Sequence, residues 1–176
     1  MRKLTAAAGS AVFFVLAPGV VAGLVPWWLT GWRVRHPQPA WAWVPLRVAG
    51  GILIAAGLVV LAHAFMRFVV EGSGTPAPVA PPGQLVVGGL YRYVRNPMYL
   101  AVVAAIVGQA LALAQPALLG YAVAVGAAMA AFVHGYEEPT LSRQFGEQYQ
   151  AYRRAVPAWW PRRRPWRPGG SDAPAP

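Results

Sequence analysis

The chain has 176 residues, 57% of them hydrophobic and only 11% charged, without a single cysteine. Soluble domains are about 45–50% apolar and roughly 25% charged, so a disordered chain and an ordinary soluble fold are both disfavoured. The missing cysteines exclude disulfide scaffolds, thiolate metal sites and cysteine nucleophiles. Fifteen Lys and Arg against five Asp and Glu give a net charge of +10. The basic residues flank long apolar runs, which points to a membrane surface rather than to nucleic acid.

The charge gaps divide the chain. None falls between Lys3 and Arg33, between Arg47 and Arg67, or between Arg95 and Glu137. A membrane-spanning helix needs about 20 apolar residues, so the first two gaps hold one span each and the third holds two. Gln115-Pro116 splits the third, because proline opens a helix well and interrupts one badly. The expected helices cover 5–29, 46–69, 97–114 and 117–136, with a kink in the first at Pro18-Gly19. The alternatives for these runs are buried soluble helices and, for residues 1–29, a cleaved signal peptide. Too little polar surface remains to cover four soluble helices. Trp27-Trp28 reads as an interface anchor rather than a cleavage site. Glycines at 50, 51, 57, 120 and 126 suit close helix packing in lipid.

Four spans put Arg2, Lys3, Arg67, Arg92, Arg95 and seven arginines from Arg143 to Arg167 on one side. The expectation is a multi-pass membrane protein with both termini cytoplasmic.

Three polar segments gather on that side. Residues 71–83 are rich in Gly and Pro and form turns. Gln84 to Tyr99 then bring two arginines, three tyrosines and an Asn-Pro stop to the mouth of the third helix. An interfacial aromatic belt explains the same composition. Glu137-Glu138 stand where the fourth apolar run meets the cytoplasm. Either they hold a cation or they are a solvated helix end paired with Arg92, Arg95 or Arg143. Beyond them Leu141, Phe145, Tyr149 and Tyr152 recur at helical spacing and form an amphipathic helix, lying on the membrane or covering a site. Trp159, Trp160 and Trp166 interleave with Arg162-Arg163-Arg164, a mixture suited to an anionic leaflet. The domain boundary falls at 161, and the basic, Pro-rich tail 162–176 is expected to be disordered.

Four motifs occur in order. They are L-V-x-x-G-x-Y (Leu85 to Tyr91), R-N-P-M-Y (Arg95 to Tyr99), E-E-x-x-L (Glu137 to Leu141) and F-G-x-x-Y-x-x-Y-x-x-x-V-P (Phe145 to Pro157). The set resembles the integral-membrane methyltransferases of the isoprenylcysteine carboxyl methyltransferase and phospholipid methyltransferase superfamily, over residues 67–161. The resemblance implies an all-α polytopic fold and S-adenosylmethionine as cofactor. It implies that Gln84, Leu85 and Val86 touch the cofactor through backbone and apolar surface. Tyr91, Asn96, Pro97, Met98 and Tyr99 would line its pocket, and Glu137 with Glu138 would hold its polar groups. No metal is implied and no catalytic residue is assigned. The expected partners are the bilayer and a lipophilic methyl acceptor. Asn96 stands where the carboxyl-methylating branch has His, and Val133 where that branch has an arginine for the substrate carboxylate. A phospholipid or another small hydrophobic nucleophile therefore fits better than a carboxylate. Two alternatives stay open: an NADPH-dependent membrane reductase of the sterol-reductase type, and a non-enzymatic membrane assembly protein.

Overall fold

The computed structural model describes residues 16–37, 39–72 and 84–167. The start of the first expected helix and the turn-rich 73–83 segment lie outside them. The described residues are all-helical. Helix α1 covers Leu16–Thr30, α2 Ala40–Gly72, α3 Pro97–Leu113 and α4 Ala117–Phe132. A π turn, Val133–Glu137, leads into α5, Glu138–Ala155. Two continuous helices, Trp41–Arg67 and Ala117–Ala155, are long and apolar enough to cross a membrane; Leu16–Thr30 and Pro97–Leu113 are shorter apolar helices.

The prolines set the boundaries. Pro97 is the first residue of α3, and Pro116 immediately precedes α4. The fourth helix does not stop near 136, however. It runs on across the π turn, where the Glu138 amide bonds the Val133 carbonyl, and Pro139 falls in the first turn of α5, where proline is tolerated. The break comes later, at Gly146, whose φ of 51° and ψ of −125° suit only glycine.

Packing is tightest between α2 and α3, and glycine is the reason. A Cβ on Gly50 would lie 2.5 Å from the Gly108 carbonyl oxygen, and one on Gly108 would lie 2.7 Å from that of Gly50. A Cβ on Gly57 would lie 2.8 Å from the Ala101 oxygen. The backbones touch, as close helix pairs in lipid do. Leu61, Ala101, Val102, Ile106, Ala110, Leu118 and Ala122 form the core between α2, α3 and α4.

Helix α1 joins through its irregular backbone. Pro26 has no N–H to offer the Ala22 carbonyl, and the Gln109 amide donates there instead, at 2.6 Å. A second π turn, Val20–Leu24 within α1, sends the Val25 amide to Val20, and the Val21 carbonyl accepts from the Tyr121 hydroxyl at 2.9 Å. Both freed groups are met from neighbouring helices, as hydrocarbon requires. The outer surface is apolar, with Ile52, Val59 and Val123 exposed. Exposed Trp27, Trp28, Trp32 and Trp41 gather where α1 ends and α2 begins, and Trp160 is exposed near the chain's other end.

The Gly50–Gly108 contact gives a test. Gly108→Ala forces α2 and α3 apart, at a cost of roughly 1–3 kcal/mol. Gly126→Ala meets its nearest atom only at 3.9 Å. Thermal denaturation in detergent is expected to show a clear fall for the first variant and almost none for the second.

Candidate functional site

The C-terminal end of α2, the N-terminal end of α3 and the C-terminal end of α4 converge, and the segment 84–96 lies between them. Along α2 one stripe recurs every seven positions: Gly50 and Gly57 against α3, Ala64 against Val86 and Tyr91, and then Glu71 against the loop. Ala64 packs on Val86 and Tyr91, and Met98 closes that cluster. Glu71 ends the stripe and fixes the loop. Its Oε2 accepts from the Gly88 amide at 2.9 Å, and its Oε1 pairs with Arg67 at 3.1 Å. Gly88 has no room for a Cβ, since the Glu71 carboxylate occupies that space.

A 3-10 turn, Gly89–Arg92, aims Tyr91 inward. Burial pushes the Tyr91 phenol well above its usual range, and the negative charges of Glu137 and Glu71 push it further. Tyr91 is therefore a neutral hydroxyl within the field of two carboxylates. Its carbonyl accepts from the Tyr152 hydroxyl at 2.6 Å, which ties the turn to α5.

The adjacent acids do different work. Glu138 is 5% exposed and engaged by arginines: Arg95 Nη1 at 2.8 Å and Arg153 Nη2 at 3.2 Å. His134 stands 3.6 Å away, largely exposed. Arg95 also donates to the Tyr149 hydroxyl at 3.1 Å. Glu137 is half-buried, and its Oε2 accepts from the Tyr99 hydroxyl at 2.9 Å. Residue 137 is the first beyond the apolar run 117–136. Burial raises its carboxyl above the ordinary range; the Tyr99 bond and Arg95 oppose this, and Glu138 adds to it.

The remaining expected site residues divide. Leu85 packs with Val87, Leu141, Phe145 and Trp166 around buried Tyr149, Tyr152 and Val156. The aromatic stripe of α5 thus covers the 84–91 loop. Gln84 is exposed. Asn96 is buried, and its Nδ2 donates to the Ala158 carbonyl at 3.2 Å rather than capping α3. Pro97 is fully buried and lines a groove on the other flank of α3.

Asn96 belongs to a strap. Residues 156–167 run beside 91–96: the Arg95 amide bonds the Pro157 oxygen, the Arg162 amide the Tyr93 oxygen, and the Trp166 amide the Arg92 oxygen. Arg92 Nε returns a bond to the Trp166 carbonyl at 2.6 Å. The Trp159 ring lies 6.5 Å from that of Tyr99. Residues 162–167 of the expected tail belong to this strap; residues 168–176 lie outside the described residues.

A family model described as phospholipid methyltransferase matches residues 46–148. The chain belongs to the phospholipid methyltransferase family. The match takes in α2, α3, α4, the loop between α2 and α3, and both glutamates. Comparisons with curated proteins and with solved structures find no match. Membership makes the chain a membrane methyltransferase in general, and it lends no support to the reductase or assembly-protein readings.

Sequence reasoning offered Arg95 as one of three possible partners of the acidic pair, and missed Arg153 and the strap. The signal for Arg95 was arithmetic, because acids are so scarce that a buried one must meet an arginine. The pairing predicts opposite outcomes for adjacent substitutions. Glu138→Gln leaves Arg95 buried and uncompensated and is expected to cost about 3–5 kcal/mol. Glu137→Gln removes a desolvated charge and is expected to leave the melting temperature unchanged or raise it. Equal destabilisation in detergent melts would refute the division.

Proposed function

We propose that the chain transfers a methyl group from S-adenosylmethionine to a lipophilic acceptor, with four spans and both termini cytoplasmic. The observation that carries the reading is Glu137. It is a half-buried carboxylate whose hydrogen-bond partner is a neutral tyrosine, in the electrostatic reach of Tyr91 and so beside the apolar cluster of Ala64, Val86, Tyr91 and Met98. Such a group suits a cation, since charge attraction strengthens as water is excluded.

The cofactor, when bound, supplies an electrophilic methyl carried by a positive sulfur. The chain's own residues bind and orient. Glu137 holds a polar or cationic group of the cofactor, and Tyr99 fixes the carboxylate by donating to it. Tyr91 and Tyr99 offer aromatic faces to positive charge. Val86 and Met98 exclude water, and Leu85 with Gln84 borders the entrance. Arg95 and Glu138 neutralise each other and clasp α3 to α5, while Asn96 holds the strap. Displacement at a methyl carbon needs donor and acceptor in line, so rigidity in these clasps is the chain's main contribution. The acceptor is a neutral amine, thiol or similar nucleophile on a lipid, entering from the bilayer where α3 and α4 meet the mouth. Fully buried Val133 puts no positive charge there for a carboxylate.

Calorimetry with S-adenosylmethionine tests the site. Glu137→Gln is expected to weaken binding by roughly 2–5 kcal/mol, and Glu147→Gln, which is exposed, by under about 1. The raised carboxyl sets the pH dependence. A cation needs Glu137 ionised, so affinity holds at higher pH. It falls as pH drops through a midpoint above the ordinary 4.5, and Glu137→Gln abolishes that slope. Equal effects of the two substitutions would make the pair a helix end only.

Membranes incubated with methyl-labelled cofactor test the acceptor. Label is expected in the organic extract, bound stably to lipid. Label confined to water-soluble products would overturn lateral entry, and a base-labile methyl ester would overturn the reading of Val133.

A further inference from the structure

A groove of about 590 Å³ opens on the opposite flank of α3 from Tyr99. Ala56, Gly57 and Val60 of α2 form one wall, and Leu100, Ala101 and Ala104 of α3 the other. Leu90, Tyr93 and Val94 roof it, with Pro161 of the strap beside them. Its size is that of a ligand site, yet its lining is almost wholly apolar.

The rim is not apolar. On α2 the ridge Ala56, Val60 continues at helical spacing to His63 and Arg67. Both lie against Gly89, the residue before Leu90 in the roof. Gly89 has φ of +55°, and a Cβ there would lie 2.8 Å from His63 Nε2 and 3.1 Å from Arg67 Cγ and Nε. His63 is exposed, and the Arg67 side chain is 45% exposed despite its bond to Glu71. An apolar slot running along two helices thus ends, at the cytoplasmic side, in two hydrogen-bond donors, one permanently cationic.

We propose that this groove holds an acyl chain of an anionic phospholipid whose phosphate sits against Arg67 and His63. Glu71 balances Arg67 from the inner side, and Arg67 is the more exposed of the pair, 45% against 28%, so the rim turns a positive edge outward that favours an anionic headgroup over a zwitterionic one. The site is separate from the methyl acceptor's. Its roof is the outer face of the turn whose Tyr91 looks into the cofactor mouth, so an occupied groove supports that turn from behind.

The full chain in nanodiscs, with a trace of phosphatidylglycerol bearing a photoreactive acyl chain, tests the proposal. The same chain on phosphatidylcholine is the comparison. Phosphatidylglycerol adducts are expected on Ala56–Val60 and Leu100–Ala104. Arg67→Gln is expected to cut them about five-fold, the equivalent of 1 kcal/mol. Ala104→Phe, which fills the groove, should remove them with the melting temperature kept. Equal labelling by the two lipids, insensitive to Arg67→Gln, would mean ordinary surrounding lipid and overturn the site. The chain has no cysteine of its own, so Ala104→Cys reports a second copy. Disulfide dimers in place of lipid adducts would overturn it too.

Discussion

A buried ion pair holds together the end of this molecule where α3 begins and α4 passes into α5. Arg95 and Glu138 meet at 2.8 Å with side-chain exposures of 11% and 6%. Taking two charges out of water costs several kcal/mol each, and the return depends on geometry and on further hydrogen bonds. Those bonds are present. Arg153 supports the second oxygen of Glu138, Tyr149 accepts from Arg95, and the Arg95 amide bonds Pro157. One residue thus fastens the start of α3 to α5 and to the strap.

The same pair frees its neighbour. Successive helical residues point about 100° apart, so two adjacent carboxylates cannot both meet Arg95. Glu138 takes the arginines and Glu137 is turned toward Tyr99. The π turn immediately before α5 sets this register. It also lets one helix continue from the apolar run into the polar region without a loop that would loosen either acid. π turns of this kind often sit at functional sites, and here the turn ends on the acid the site needs.

Much of this was legible in the sequence, for physical reasons. Charge gaps locate apolar helices because a charge cannot be left in hydrocarbon cheaply, and proline marks ends because it lacks an N–H. Hence α3 and α4 begin where Pro97 and Pro116 predict. Tyr99 and Glu137 stood out in the sequence as members of two motifs, though not as partners in a bond. What stayed hidden depends on contacts distant in sequence. The helix from 117 to 155 was read as two because its charge-free run ends at Glu137, and only the structure shows the π turn carrying it on. The strap from 156 onward carries tail-like composition, yet its backbone pairs with 91–96. Nothing local in Arg-Arg-Arg-Pro-Trp announces that pairing. The reach of the Glu71 carboxylate to Gly88 is likewise visible only once the seven-residue stripe of α2 is set against the loop.

Polar side chains within apolar helices usually invite a functional reading, since lipid makes them expensive. Here most have a structural account. Gln109 and Tyr121 serve carbonyls freed in α1, and Gln115 Nε2 donates to the Arg33 carbonyl at 2.7 Å, closing the loop after α1 over the α3–α4 turn. Thr30 bonds the Pro26 carbonyl one turn back. Glu71 has an amide and an arginine; Glu138 has two arginines. Glu147 is exposed to solvent. Glu137 alone among these acids sits partly desolvated against a neutral hydroxyl. A carboxylate in that position is destabilised in the free protein and stabilised by any cation that enters, and that difference is what a binding site requires.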